Sequence, residues 1–420
     1  MSKIFSTSLL LFIATVAQAQ NQDVIYHINQ PAGEIIVPST TLSDVKTAGQ
    51  HFHTNHIIYV PDHKVRTQSG YFLTAETPAS IACVYQLTSV LVPGCPIAST
   101  TSLPAGGRGK IALIELAHYA NAQNDLNAFS TAFNLPQPTF SLVTVDGGGN
   151  YNTEATLEIL LDIEWAHAMA PNAAIEIVEG PDSGQGFYDA FVQAGEDVLA
   201  AGGGAVSASW GSSEYAGETT FDSSLQEPLV TYFVASGDSG APAEYPASSP
   251  YVIAAGGTTI VRDSNGDFNG ETAWSLDDEG HGGTGGPSAY ESRPFFQDGV
   301  ENVVRAQRGT PDISFDANPS SGVNVYDSDP NAETAGYCLN DWCIIGGTSL
   351  AAPALAGVIN ATGQLVLNTQ MELSYIYSLA LPGNYNKLWR DITEGYNGYD
   401  AENGYDFTTG IGSPLTYVGK

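Results

Sequence analysis

The feature that most constrains the fold is an alternation of short apolar runs with amphipathic segments along the middle of the chain. The predicted elements are, in order, strand Lys110–Leu116, helices Asp125–Phe133 and Glu154–Met169, strand Ala174–Val178, helix Tyr188–Ala201, and strands Ala205–Ala208 and Thr231–Ala235. This alternation predicts an α/β fold with a mostly parallel sheet flanked by helices on both faces. Active sites of such sheets lie in the loops after the strands, so the loops are the candidate sites.

The charge balance excludes several classes of partner. The 420 residues include 13 Lys plus Arg and 45 Asp plus Glu, for a net charge of −32, and 43% are hydrophobic. A chain this acidic is repelled by nucleic acids and anionic membranes, but it can bury a large core. Near pH 4 roughly half of the carboxylates are protonated and the net charge approaches zero. This favours an acidic working environment, with solubility at high salt as the alternative.

The N-terminus has the pattern of an export signal. Lys3 precedes the apolar stretch Leu9–Ala17, and Ala17-Gln18-Ala19 matches the small-x-small pattern before a cleavage site. We therefore predict a signal peptide over residues 1–19. No later apolar run approaches the roughly 20 residues of a membrane span, so the mature protein is expected to be secreted, or periplasmic in a Gram-negative bacterium.

Four cysteines fit an oxidising compartment. They allow three pairings, and the local pairs Cys83–Cys95 and Cys338–Cys343 are favoured because each closes a short loop. Neither pair has the two-residue spacing of a zinc knuckle.

Residues 20–73 are polar and are interpreted as a short pro-segment or leader before a domain that spans residues 74–420. The leader contains four of the eight histidines: His51, His53, His56 and His63. Solvated side chains are the favoured interpretation, and a metal site at the first three is the alternative.

The segment Gly346–Pro353, Gly-Gly-Thr-Ser-Leu-Ala-Ala-Pro, places Ser349 at the start of an Ala-rich helix. The helix dipole stabilises developing negative charge there. Such a serine is either a nucleophile or a helix cap. The double glycine and the run of small residues favour the nucleophile, because a cap needs neither.

A nucleophilic serine needs a base, and none of three histidines has a suitable context (His118, His167 and His281). Glu158 and Asp162, four residues apart on a predicted helix, would share one face and could share a proton. Such a pair on a solvated face would mean little, but the neighbouring residues here are apolar.

Taken together, these motifs resemble the sedolisins, or serine-carboxyl peptidases, over residues 74–420. The matching segments are Glu158-x-x-x-Asp162, Ala170-Pro171, Ser209-Trp210-Gly211 with Glu214, Ser236–Gly240, Pro246–Pro250, Pro311–Ser314, Gly346–Pro353, Asp391-Ile392 and Gly404–Asp406. The resemblance implies a subtilisin-like fold in which Ser349 attacks the scissile carbonyl, Glu158 moves the proton and Asp162 tunes Glu158.

The resemblance also implies a catalytic role for Asp238 and supporting roles for Glu115 and Trp210. Asp238 would complete an oxyanion hole with the Ser349 backbone N–H, the alternative being an ordinary Asx-turn. Glu115 and Trp210 match positions that extend the proton network in the kumamolisin-type subgroup, although Trp210 could equally be a pocket wall.

The C-terminal tail resembles the family's calcium site. Asp391 and Asp406 would supply carboxylates, and Ile392, Glu402 and Gly404 backbone carbonyls, around one structural Ca²⁺ ion. The Glu402 assignment needs a φ accessible to a residue other than glycine, because relatives often carry glycine there. An acidic loop without a ligand is the alternative.

The expected function is that of a secreted, acid-active endopeptidase, a monomer that acts on polypeptides without nucleic-acid or membrane partners. The alternatives are a tripeptidyl-peptidase of the same family, a conventional hydrolase with an unrecognised histidine, and a non-catalytic calcium-binding protein on the same scaffold. Sedolisins usually carry a long folded pro-domain, whereas about fifty residues follow the predicted signal here. Either a shortened propeptide suffices or maturation differs.

Overall fold

The computed structural model describes residues 33–42, 45–62, 65–67, 69–97, 102–364, 366–380 and 383–417. The predicted signal peptide and His63 lie outside these residues. The strands are β1 Gly33–Ile36, β2 His53–Thr54, β3 Ile57–Pro61, β4 Lys110–Glu115, β5 Phe140–Thr144, β6 Ala174–Glu179, β7 Gly204–Ala208, β8 Trp210–Ser213, β9 Val230–Ala235, β10 Glu244–Tyr245, β11 Ile253–Arg262, β12 Phe268–Ala273, β13 Gly286–Ser292, β14 Gln307–Thr310, β15 Ile313–Asp316, β16 Val323–Tyr326, β17 Trp342–Gly346, β18 Trp389–Arg390 and β19 Ser413–Pro414.

The α-helices are α1 Pro78–Val84, α2 Ala122–Ala132, α3 Thr153–Met169, α4 Gly184–Ala200, α5 Glu301–Val304, α6 Pro330–Ala335, α7 Thr348–Ala361 and α8 Thr369–Leu379. Short 3-10 helices cover Ser39–Thr41, Val45–Thr47, Glu218–Leu225, Phe295–Val300 and Pro319–Ser321.

The central sheet has the order β12-β11-β9-β7-β4-β6-β5, and β15 also pairs with β11. Its neighbours are parallel except at the edge, where β12 runs antiparallel to β11. Strands β4, β7 and β9 are almost completely buried, as expected for strands covered by helices. The predicted subtilisin-like α/β class, with a mostly parallel sheet and flanking helices, is confirmed.

Helices α3 and α7 pack against each other, and α7 lies over β7, β9 and β11. The Asn152 side chain caps α3 by accepting the N–H groups of Glu154 and Ala155. Gly357 permits the close approach of the two helices, because a Cβ there would lie 2.6 Å from the Cβ of Met169. The helix that carries the two candidate carboxylates is thereby held against the helix that carries Ser349.

The leader contributes strands that pack against the rest of the chain. Strand β3 lies between β1 and β17 in a four-stranded antiparallel sheet, and β2 pairs with β8. Residues 52–59 are buried. Residues 52–59 of the leader thus lie inside the molecule instead of on its surface.

Both predicted disulfides, Cys83–Cys95 and Cys338–Cys343, are confirmed. Across the residues placed by the structure, no helix combines the length and the apolar character needed to cross a membrane.

Candidate active site

Ser349 lies in the first turn of α7, directly after a tight turn from β17. Gly347 makes this turn with φ at +107°, a conformation that favours glycine. A Cβ on Gly347 would lie 2.1 Å from the backbone oxygen of Asn55 and 2.6 Å from Oδ2 of Asp238. The double glycine therefore allows the chain to bring Ser349 close to two other segments. Ser349 is completely buried.

Glu158 and Asp162 lie one helical turn apart on α3, and both are completely buried. The two carboxyl groups and the Ser349 hydroxyl are close enough to shift one another's pKa, while Ser349 Oγ, Glu158 Oε1 and Asp162 Oδ2 have no hydrogen-bond partner among the described residues. Ser209 donates its hydroxyl to Oδ1 of Asp162 at 2.8 Å. The structure thus brings together three of the four side chains for which a catalytic role is predicted, and Asp238 is the fourth.

Burial dominates the electrostatics of this group. Loss of solvation raises the pKa of Glu158 to about 8, although the neighbouring hydrogen bonds oppose the shift. Burial, followed by the charge of Glu158, raises the pKa of Asp162 well above its ordinary range. Burial therefore favours the protonated form of both carboxyl groups.

Asp238 follows β9 and lies beside the start of α7. Its Oδ1 accepts the backbone N–H and the hydroxyl of Thr348, at 2.7 and 2.8 Å. Its Oδ2 is buried with no hydrogen-bond partner among the described residues. Burial raises the pKa of Asp238 well above its usual value, which favours the protonated form needed to donate a hydrogen bond. This arrangement suits an oxyanion-hole donor.

Glu115 ends β4 next to the same cluster. Its Oε2 accepts the indole N–H of Trp210 at 3.1 Å. Burial first, and then the charges of Asp162 and Glu158, raise the pKa of Glu115 well above its ordinary value. Glu115 is thus electrostatically linked to the central pair, and Trp210 fixes its orientation.

A histidine that the sequence analysis did not select also reaches the site. His56 Nδ1 lies 2.7 Å from Oε2 of Glu158, and both side chains are completely buried. The three histidines considered as bases have other partners. His118 contacts Glu179, His167 contacts the carbonyl of Pro136, and His281 contacts Asp277. The one sequence signal for His56 is the apolar, β-rich run Ile57–Pro61 that follows it.

The leader histidines do not converge on a common point. His51 pairs with Asp182 at 3.0 Å, and His53 with Glu244 at 3.3 Å. Among the residues that could be placed, no three histidine, cysteine or acidic side chains are grouped as metal ligands. The alternative of a metal site at these histidines therefore has no support in the structure.

The tail residues proposed for calcium are grouped. Asp391 accepts the N–H of Gly404 at 3.0 Å, and Asp406 accepts the N–H of Glu402 at 2.8 Å. Both carboxylates influence the buried Tyr385 hydroxyl, and neither forms an ion pair within the described part of the chain. Glu402 is not among the residues with positive φ, so a side chain is tolerated there. Carboxylate and carbonyl oxygens are the ligand type that Ca²⁺ prefers, and here the carboxylate oxygens of Asp391 and Asp406 accept backbone N–H groups.

Comparisons with known proteins agree with this geometry. Residues 145–371 match the model of the subtilase family. Kumamolisin from Bacillus sp. (strain MN-32) is 30% identical over 84% of this chain and 64% of its own length. Sedolisin from Pseudomonas sp. (strain 101) is 28% identical over 76% of this chain and 58% of its own length. The chain spans between about half and two thirds of the length of the curated relatives it matches.

A solved structure gives the same result for the fold. Pseudomonas sedolisin, complexed with two molecules of pseudo-iodotyrostatin, superposes with a TM-score of 0.64 and 25% identity, covering 82% of this chain and 96% of that one. The family match covers more than half of the chain, the curated relatives include kumamolisin and sedolisin, and the solved sedolisin is described as a serine-carboxyl proteinase. The chain therefore belongs to the subtilase family and, within it, to the sedolisins.

Proposed function

We propose that the protein is an exported, acid-active serine-carboxyl endopeptidase that hydrolyses peptide bonds of proteins. The observation that carries the proposal is the position of the Ser349 hydroxyl beside a buried pair of carboxyl groups, Glu158 and Asp162. A silent scaffold has no physical need for two coupled carboxyl groups in its core, because their burial costs stability.

In the proposed reaction, the hydroxyl oxygen of Ser349 attacks the scissile carbonyl carbon and Glu158 accepts the proton. Asp162, one helical turn away, would hold and tune Glu158. The Ser349 N–H and protonated Oδ2 of Asp238 stabilise the oxyanion. Glu158 then protonates the leaving amine, and water hydrolyses the acyl-enzyme.

An acidic optimum follows from the groups involved. Asp238 donates a hydrogen bond only while it is protonated, and low pH maintains that state. Glu158 must ionise in order to accept a proton. When the cleft opens to water, its desolvation decreases and its pKa falls toward the ordinary value of 4.5. Both conditions are met together in mild acid.

Export is supported by the signal-like N-terminus and by the two disulfides, which persist in oxidising compartments. We expect one structural Ca²⁺ ion at Asp391 and Asp406, with backbone carbonyls of Ile392, Glu402 and Gly404. When bound, the ion would cross-link the two tail loops by electrostatic attraction to their oxygens.

Two alternative functions can be distinguished from this proposal by experiment. Tripeptidyl-peptidase 1 of Dictyostelium discoideum is 26% identical over 75% of this chain, which favours removal of N-terminal tripeptides as the second candidate. A conventional hydrolase could instead use His56 as its base. Its Nδ1 contacts Glu158, and neither its Nε2 nor the Ser349 hydroxyl has a hydrogen-bond partner among the described residues, so this alternative lacks a contact between base and nucleophile.

The test is digestion of a denatured protein at pH 3–5, with the product masses mapped. We expect internal fragments from the wild type and none from Ser349→Ala, with both proteins folded by circular dichroism. A series of tripeptides would instead indicate the second candidate. A rate maximum near neutral pH that is lost in His56→Ala would indicate the histidine mechanism, and equal digestion by Ser349→Ala would refute the proposal.

A further inference from the structure

The hydroxyl group of Thr348 lies between the backbone of Gly237 and the carboxyl group of Asp238. Thr348 is the first residue of α7 and is completely buried. Its Oγ1 lies 3.0 Å from the Gly237 nitrogen and 2.8 Å from Oδ1 of Asp238. Its backbone N–H donates to the same carboxyl oxygen at 2.7 Å. The helix that carries Ser349 thus contacts Asp238 twice, both times at Oδ1.

The direction of each hydrogen bond in this chain of contacts follows from the donor groups. A backbone N–H can only donate, so Gly237 uses one lone pair of Thr348 Oγ1. The hydroxyl retains one proton, and among the described residues its only other hydrogen-bond partner is Oδ1 of Asp238. Thr348 therefore donates its hydroxyl proton to Oδ1. Together with the Thr348 N–H, Oδ1 accepts two hydrogen bonds.

Two donors at one carboxyl oxygen determine where the acid proton of Asp238 lies. A proton on Oδ1 would face both donors, so in the neutral acid Oδ1 is the carbonyl oxygen and Oδ2 carries the proton. Oδ2 is buried and has no hydrogen-bond partner in the described part of the chain. It lies on the same side of Gly347 as the Asn55 carbonyl oxygen, which accepts the Ser349 N–H at 2.9 Å. Both candidate oxyanion donors therefore face the same side of the turn.

The backbone around Asp238 is fixed independently of Thr348. The Gly237 carbonyl accepts the N–H of Thr284 at 2.8 Å, and Thr284 Oγ1 accepts the N–H of Ser239 at 3.0 Å. Gly237 has φ at +116°, and a Cβ there would lie 2.7 Å from Oγ1 of Thr284. The side-chain torsions of Asp238 are the freedom that is left, and the contacts from Thr348 restrict them.

Thr348 does not hold the acid proton on Asp238. Burial raises the pKa of Asp238 well above its usual value, whereas the contacts from Thr348 lower it. A donor to a carboxyl oxygen favours the ionised form, so burial retains the proton against these contacts. The contribution of Thr348 is the choice of the oxygen that carries it.

We propose that Thr348 is a positioning residue that places the proton of Asp238 on Oδ2, from which it is donated to the oxyanion of the reacting carbonyl. The inference rests on the proposed function, in which Asp238 is an oxyanion donor, and it adds the residue that orients this donor. Without the Thr348 hydroxyl, Oδ1 keeps one donor and the proton can occupy either oxygen. A proton on Oδ1 leaves Oδ2 as a lone-pair oxygen that repels the oxyanion.

The experiment is steady-state kinetics at pH 4 with the purified protein and one peptide substrate. Thr348→Val keeps the side-chain shape without the hydroxyl. We expect kcat to fall about tenfold with KM unchanged, the size of one lost hydrogen bond. Thr348→Ser, which retains a hydroxyl, should restore kcat. Thr362→Val is the matched control, because its hydroxyl donates to the Ile359 carbonyl at the other end of α7, and it should change neither constant.

A double-mutant cycle separates positioning of Asp238 from a general effect on α7. Thr348→Val should lower kcat no further in an Asp238→Ala background, because Thr348 acts through the carboxyl group. The same tenfold loss in that background would overturn the inference. A raised KM with unchanged kcat, or no recovery of kcat in Thr348→Ser, would also overturn it.

Neutron diffraction of Ser349→Ala at pH 4 tests the proton position without activity and with the native threonine, so it decides the case even where Thr348→Val does not fold. We expect deuterium on Oδ2 of Asp238 and the Thr348 hydroxyl deuterium directed at Oδ1. Deuterium on Oδ1 would overturn the inference. A wild type that hydrolyses the peptide, with Thr348→Val equally active, overturns the inference and leaves the proposed function standing. A wild type that hydrolyses no peptide bond overturns both.

Discussion

The protein should be less stable at neutral pH than at acidic pH, and replacing Glu158 with glutamine should remove a large part of this difference. The folded state holds Glu158 protonated, because burial raises its pKa to about 8, whereas the unfolded chain ionises it near its ordinary value of 4.5. Between these two pH values the folded state binds more protons than the unfolded state. The free energy of unfolding therefore falls as pH rises through this window.

The size of the effect follows from the shift. Each pH unit within the window costs about 1.4 kcal/mol, so the cost at pH 7 relative to pH 4.5 is about 3 kcal/mol. Glutamine does not titrate, and its amide offers both a donor and an acceptor for the contact with His56 Nδ1. His56 itself contributes with the opposite sign below pH 6.5, since burial lowers its pKa. That contribution is common to both variants and cancels from their difference.

The assay is urea unfolding at several pH values between 4.5 and 7, in a Ser349→Ala background that prevents proteolysis. We expect equal stability with and without Glu158→Gln at pH 4.5, and an advantage of about 3 kcal/mol for glutamine at pH 7. Glu279→Gln, at an exposed position, serves as the control and should change nothing. Parallel pH profiles for the two variants would refute the assignment of Glu158 as a buried, protonated acid.

Three further predictions concern the surroundings of the site. Asp238→Ala should lower kcat by a factor of about 10²–10³ with little change in KM, because an oxyanion donor is lost. Steady-state kinetics at pH 4 test this, and a kcat equal to that of the wild type would show that the role is wrong. Trp210→Phe leaves the buried Glu115 acceptor without its donor. The free energy of unfolding should therefore fall by about 1–3 kcal/mol, and an unchanged value in unfolding experiments would exclude the contact. Compared with the protein at a hundredfold excess of Ca²⁺ over Kd, removal of the ion should lower the free energy of unfolding by about 3 kcal/mol. The same removal should change nothing in an Asp391→Asn, Asp406→Asn double variant. Calorimetry with and without chelator measures both, and an equal response of the two proteins would contradict the site.

The local parts of the fold were predictable from the sequence. Helix Glu154–Met169 was predicted within one residue of the observed Thr153–Met169, because its apolar run ends at Ala170-Pro171. The spacing of Glu158 and Asp162 on one face follows from helical geometry alone. The two disulfides close short loops, and sequence distance was sufficient to choose them.

The long-range part of the site was not predictable. His56 and Glu158 are 102 residues apart, and the polar leader gives no signal of the surface it covers. Strand β3 is short and pairs with β17, far along the chain, so its position depends on tertiary packing. Periodicity identifies which residues face a core, but it does not identify which other segment completes that core.

The central claim is that the hydroxyl of Ser349 is the nucleophile and that Glu158 takes its proton. The most direct measurement is the rate of peptide-bond hydrolysis between pH 3 and 7, determined for the wild type, Ser349→Ala and Glu158→Gln on one denatured protein substrate. We predict an acidic optimum for the wild type and loss of hydrolysis in both variants, each of which remains folded. Hydrolysis by Glu158→Gln at the wild-type rate, with the optimum unmoved, would contradict the account.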